Sequence, residues 1–166
     1  MEKTSCSVCQ NFENFVVSPC NKAAYDICKT LVEKPQAQFV ALYGPASCGK
    51  THLLSAVNNA FCEKYPGARV KMTSFNVMIS KFLEALHEKT ENEFRADLCK
   101  YDLLIVDDMQ CAVGKTTTQE EIAGWITAML SAGKMMSFCW SISLLFERTI
   151  GLVARNATSL PPTETE

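Results

Sequence analysis

Gly44-Pro45-Ala46-Ser47-Cys48-Gly49-Lys50-Thr51 restricts this chain more than any other stretch. It lies between an apolar run, Phe39 to Tyr43, and a segment whose Leu53, Val57, Ala60 and Phe61 recur at helical spacing. An apolar run of that length suits a strand buried on both faces. A loop that leaves such a strand and enters a helix at once must wrap tightly, and glycine adopts the backbone angles this needs without strain. Successive N–H groups then face one hollow, with the positive end of the helix dipole behind them. Lys50 adds a point charge and Thr51 a hydroxyl. An anion of several linked phosphates fits that hollow, with Lys50 toward its β- and γ-phosphates and Thr51 ligating Mg²⁺. The candidate cofactor contacts are therefore Gly44, Pro45, Ala46, Ser47, Cys48, Gly49, Lys50, Thr51 and, one residue on, His52. Cys48 has two readings. It is a small residue at a variable loop position, or a thiol that the loop amides and Lys50 make acidic and oxidisable.

A phosphate loop needs an acidic partner at the end of a neighbouring strand. Leu103-Leu104-Ile105-Val106-Asp107-Asp108 supplies it. Asp107 is the candidate Mg²⁺ carboxylate, and Asp108 is placed to orient or deprotonate an attacking water. The rest of the chain alternates in the same manner. Residues 21–34 put Ala24, Ile27, Cys28, Leu31 and Val32 on one helical face, and residues 68–73 alternate like a strand. Met78, Ile79, Phe82, Leu83 and Leu86 mark an amphipathic helix, and residues 91–100 a shorter one. Thr118 and Glu121 form a capping-box pattern that predicts a helix from Gln119, ending at Gly133. Residues 134–140 read as one more strand. Strands alternating with long helices predict an α/β fold: a parallel sheet of four to five strands with helices on both faces. The only candidate for a fifth strand is the segment 157–160.

Charge and cysteine content exclude some classes. With 16 basic and 18 acidic side chains, the net charge of −2 gives no global basic footprint, so any grip on nucleic acid is local. The N-terminus carries no apolar signal segment, and the apolar run 135–146 is too short to span a bilayer. A cytoplasmic protein without membrane contact is expected. Nine cysteines, an odd number, then read as reduced and mostly structural thiols. Cys6 and Cys9 have zinc-ligand spacing but lack a second pair.

Four segments together resemble a known family: "NFENFVVSPCNKAAYDIC", "GPASCGKTHLLSAVNN", "EFRADLCKYDLLIVDDMQ" and "GKTTTQEEIAGWITAMLSAGK". They are similar to the AAA+ ATPase core of the bacterial DnaA replication initiators, from about Phe12 to Lys134, with looser similarity to Leu160. The resemblance implies a P-loop NTPase fold of AAA+ type over residues 12–160, with a leader at 1–11 and a tail at 161–166. It implies ATP or ADP with Mg²⁺ as cofactors. Phe15, Val16, Val17 and Asn21 match the family's adenine-pocket segment. Residues 75–100 match its initiator-specific helices, which face single-stranded DNA, and Arg95 falls at a basic position there. Arg95 reads equally well as a solvated helix charge. Implied partners are replication initiators or helicases, with self-assembly and single-stranded DNA contact.

Departures from the family pattern shape the expected activity. The polar sensor after "AGK" has only Ser141 or Ser143 to fill it. Ser159 aligns with the arginine that completes a neighbouring subunit's site, although Arg155 lies nearby. Ala96, Asp97, Leu98 and Cys99 replace expected basic residues, and the chain stops near where a helical lid and a helix-turn-helix domain would begin. The expectation is nucleotide binding with slow or undetectable hydrolysis. The function implied is initiation of DNA replication or its regulation. The alternatives are a non-hydrolysing regulator, as short relatives such as Hda are, and a helicase loader of the DnaC type.

Overall fold

The computed structural model describes residues 10–109 and 116–141. Their elements run α1 (Lys22–Glu33), β1 (Phe39–Gly44), α2 (Lys50–Lys64), β2 (Val70–Ser74), α3 (Phe75–His87), α4 (Glu91–Leu98), β3 (Leu103–Asp107), α5 (Thr116–Ser131) and β4 (Met135–Ser141). The strands form one parallel sheet in the order β1-β4-β3-β2. β4, last of the described strands, enters between β1 and β3, so the phosphate loop and Asp107 leave the same edge of the sheet with one strand between them.

Side-chain alternation along the strands builds two cores. Leu103, Ile105, Val40 and Leu42 face α1 and α2, where they meet Leu31, Leu54 and Phe61. Leu104, Val106, Met136 and Phe138 face the other way, onto Phe75, Phe82, Trp125 and Met129 of α3 and α5. β3 is buried along its whole length, as its unbroken apolar run predicts. The four-stranded parallel sheet with helices on both faces agrees with the expected class. The segment 157–160 lies outside the described residues.

Three local readings need correction. α5 begins at Thr116, so Thr118 stands inside the helix and the capping-box pattern does not mark its start. Glu121 bonds Arg95 of α4 instead, at 2.6 Å. On α3, Phe75, Met78 and Phe82 are buried, but Leu83 and Leu86 are more than half exposed. The sheet and α5 cover only a narrow stripe of that helix, so the apolar face is wider than its contact. Ile27 on α1 is likewise half exposed.

Two helices end in the same hydrogen-bond pattern. After α5, Gly133 takes φ 72°, its N–H reaches Leu130 O at 3.0 Å, and Lys134 N–H reaches Met129 O at 2.9 Å. That is a Schellman cap, with glycine at the left-handed position. After α3, Lys89 occupies the equivalent place at φ 59°, with bonds from Lys89 N–H to Leu86 O and from Thr90 N–H to Ala85 O.

Candidate nucleotide-binding site

The loop between β1 and α2 has the tight turn that its glycines foretell. Ser47 (φ 61°) and Gly49 (φ 90°) are both left-handed, and Gly49 is the N-cap of α2. Gly49 has a second reason to lack a side chain: a Cβ there would sit 2.7 Å from Cε2 of Phe15. At Gly44 a Cβ would come 3.1 Å from the Cys48 sulfur. The Lys50 ammonium folds back over the loop and donates to Gly44 O at 3.1 Å and Pro45 O at 2.7 Å, with Cys48 Sγ at 3.6 Å. A cation therefore sits at the loop mouth, with two neutral carbonyls among its partners.

A strap made of residues 10–21 lies over the start of α2. Asn59 donates to Gln10 O at 2.9 Å, and His52 Nε2 approaches Asn11 O at 3.0 Å and Asn14 Oδ1 at 2.8 Å. Asn14 Oδ1 also accepts from Asn11 N–H, so both partners of His52 Nε2 are acceptors and that nitrogen carries the proton. His52 thus serves the strap. Phe15 is buried, stacked on Tyr25 at 5.9 Å and edge-on to His52 at 5.2 Å. Asn21 closes the strap by donating to Val16 O at 3.0 Å and accepting from Ser18 N–H at 2.8 Å. This pins a turn that leaves Val16 82% exposed.

Strap, α1 and phosphate loop line an open cavity of about 980 Å³. Phe15, Val16, Asn21, Gly44, Pro45, Ser47, Cys48, Gly49, Lys50 and His52 are on its wall. Val17, Ala46, Thr51, Asp107 and Asp108 are not. Most of the predicted cofactor residues therefore share one hollow, with the proposed metal ligands beyond its margin. The wall combines apolar side chains of α1, including Ala24 and Ile27, with the lysine and the phosphate loop. That combination suits an apolar-faced base joined to phosphates.

Asp107 ends β3 and is 9% exposed. Its Oδ1 accepts the Asp108 N–H at 2.8 Å and the Cys139 thiol of β4. Burial first, and then the bond to the Asp107 carboxylate, push the Cys139 thiol up to about 12, while the Lys50 charge pulls the other way. Asp108 is exposed and left-handed at φ 61°, a conformation costly for a residue with a side chain and frequent where function demands it. Cys139 was missed by sequence reasoning. Only the strand order, which sets β4 beside both β1 and β3, brings it to Asp107. The same register puts Ser141, a candidate sensor, opposite Gly44. Ser143, Arg155 and Ser159 lie outside the described residues, as do Cys6 and Cys9.

Arg95 is not part of this site. Its Nη2 bonds Glu121 on α5, with the two side chains 36% and 28% exposed, while Arg95 Nε, Glu91 Oε2 and Trp125 Nε1 are buried without hydrogen-bond partners among the described residues. Six cysteines among the described residues are free thiols, and burial pushes Cys28 up to about 12. None of the described helices is long and apolar enough to cross a membrane.

The family description "Bacterial DnaA ATPAse domain" matches residues 8–142. The chain belongs to that family. The chromosomal replication initiator protein DnaA of Thermus thermophilus is 35% identical over 127 residues, which make up 75% of this chain and 29% of that protein. This chain thus spans less than a third of that curated DnaA. Domain III of the Thermotoga maritima replication initiation protein DnaA superposes with a TM-score of 0.72 at 26% identity, covering 88% of this chain and 72% of that one. A replication initiator DnaA bound to AMPPCP and single-stranded DNA superposes with a TM-score of 0.68 at 30% identity, over 86% of this chain and 47% of that one. The sheet and its helices are therefore the AAA+ arrangement of the DnaA ATPase domain.

Proposed function

We propose that this chain binds ATP or ADP with Mg²⁺ in the cavity beneath the strap and acts in the initiation of DNA replication or in its regulation. One observation carries the reading: a loop with left-handed Ser47 and Gly49, capped by Lys50, lines the same cavity as apolar side chains of the strap and α1. In this reading Phe15, Val16 and Asn21 line the base pocket, and Val17 stands beside it off the cavity wall. The amides of residues 44–49 surround the phosphates, with His52 holding the strap in place. Lys50 leaves its carbonyl partners for the β- and γ-phosphates, exchanging neutral acceptors for charged ones. Thr51 and Asp107 hold Mg²⁺, and Asp108 orients the water that attacks the γ-phosphate.

Turnover is slow or undetectable even in an assembly of identical copies, because Ser159 stands where the arginine that completes a neighbouring subunit's site aligns. Such arginines contribute about 10³–10⁵ in rate. A nucleotide-dependent docking module for an initiator or helicase is therefore as consistent as an ATPase, and self-assembly belongs to the same proposal. The relative bound to single-stranded DNA supports a DNA contact along α3 and α4, with Arg95 as an interhelix brace that frees its charge only if Glu121 lets go.

Calorimetric titration with ATP and ADP tests the binding step. Lys50→Ala is expected to weaken ATP binding roughly 10- to 150-fold, the value of a charge-assisted bond. Equal affinity in wild type and variant removes the loop from the mechanism. Any turnover that survives Asp108→Ala removes that carboxylate from water activation.

A further inference from the structure

We propose that Cys139 is a positioning residue that fixes the orientation of the Asp107 carboxylate for a divalent cation. The inference rests on the nucleotide–Mg²⁺ reading of the site and names a residue which that reading does not use. β4 runs between the strand that carries the phosphate loop and the strand that carries Asp107. Leu42 pairs with Cys139 on one side, and Val106 pairs with Phe138 on the other, which brings Asp107 level with Cys139. The thiol is 2% exposed, so water does not compete for it.

Asp107 Oδ1 receives both the Asp108 N–H and the Cys139 S–H, while Oδ2 has no partner among the described residues. Two donors on one oxygen stop the carboxylate from turning about its last bond. They also occupy both lone pairs of Oδ1, so Oδ2 is the oxygen left to face a cation or its water shell. The backbone donor alone does not suffice. With the thiol gone, the group swings about a single bond to Asp108, and either oxygen can face inward. A thiol suits this task for a further reason: S–H is a weak donor, so it orients the carboxylate while drawing off little of the negative charge that the cation needs.

The test compares a donor with two non-donors at one position. Wild type, Cys139→Ser, Cys139→Ala and Cys139→Val are titrated with ATP in the presence of Mg²⁺ and in EDTA. Mn²⁺ bound to each protein–ATP complex is counted by electron paramagnetic resonance. The ratio of affinities with and without the cation is the readout. The two non-donors are expected to lose about five- to tenfold of that ratio, with EDTA affinity within about twofold of wild type, and Cys139→Ser restores most of it. Cys139→Val, which fills the space, decides the matter if Cys139→Ala does not fold. Non-donors that keep the full ratio overturn the role of Cys139 and leave the nucleotide site standing. Non-donors that weaken binding equally with and without cation also overturn it, because the thiol then only packs. A wild type that binds ATP no better with Mg²⁺ than without it overturns the cation reading of Asp107, and the inference with it.

Discussion

The two helical layers of this domain are built on opposite terms. On the α1–α2 side, polar side chains are spent on main-chain carbonyls: Asn21 on Val16, Asn59 on Gln10, Tyr25 on Phe12, and Lys50 on Gly44 and Pro45. Apolar groups stay in the open there, with Val16 82%, Ile27 50% and Tyr43 62% exposed around the cavity. On the α3–α5 side the apolar rings close on one another. Phe82, Phe94 and Trp125 form a triangle with centroid separations of 5.2–5.6 Å, and Trp125 is wholly buried. Left-handed non-glycine residues divide in the same way: Ser47 and Asp108 lie beside the site, and Lys89 merely ends a helix. One layer keeps apolar surface and strain beside a cavity that can take a ligand. The other closes its rings into a core, and apolar side chains it leaves open, such as Leu83 and Leu86 of α3, are not on that cavity's wall.

The largest break in that contrast is expected at the ring triangle. Trp125→Ala removes a fully buried side chain and should cost about 3–5 kcal/mol in urea-melt stability. The part that remains folded should bind ATP with unchanged affinity. A large loss of affinity in the folded fraction would mean that the two layers are not separable.

Acid offers a smaller and sharper probe. Asp102 accepts Lys134 Nζ at 2.7 Å and the Arg69 N–H at 2.8 Å, and these bonds, the lysine first, hold its carboxyl below the ordinary value of 3.8. A lowered native pKa means that the native state keeps the charge more readily than the unfolded chain does. The resulting stability is complete above the ordinary carboxylate range and fades as pH falls through the lowered value. Asp102→Asn should therefore cost roughly 0.5–1 kcal/mol at pH 7, and the difference from wild type should shrink below about pH 3.9. A difference that stays constant into acid would remove the ion pair as its cause. The site layer should not respond to this change, since Asp102 ties the opposite ends of β2, β3 and β4.

The smallest expected effect is a gain. Lys89 bears left-handed strain where α5 uses Gly133, so Lys89→Gly should stabilise the domain by about 0.5–1 kcal/mol. No gain in thermal midpoint would show that the Lys89 side chain is held by contacts worth as much as the strain.

What the sequence disclosed follows the same divide. The loop at 44–51, the apolar β3 and the parallel sheet class were legible because each depends on residues adjacent in the chain. The wrapping of Phe15 over Gly49 was not legible, and neither was the Cys139–Asp107 bond. Both join residues more than thirty positions apart, and neither side chain type signals its partner. The start of α5 was misplaced because a run of threonines offers several capping patterns, and Glu121 meets a stronger partner in Arg95. Leu83 and Leu86 were assigned to the core because helical periodicity gives the width of an apolar face, not how much of it a neighbour covers.

Backbone amide shifts in ¹H–¹⁵N correlation spectra, recorded as ATP and Mg²⁺ are added, address the phosphate loop most directly. The largest changes should fall on Ser47, Cys48, Gly49, Lys50 and Thr51, with a second set at Val16 and Asn21, and in Lys50→Ala they should need roughly 10- to 150-fold more ATP to reach half their size. Saturable shifts confined to other residues, or no shifts at millimolar ATP, would contradict a triphosphate seated on this loop.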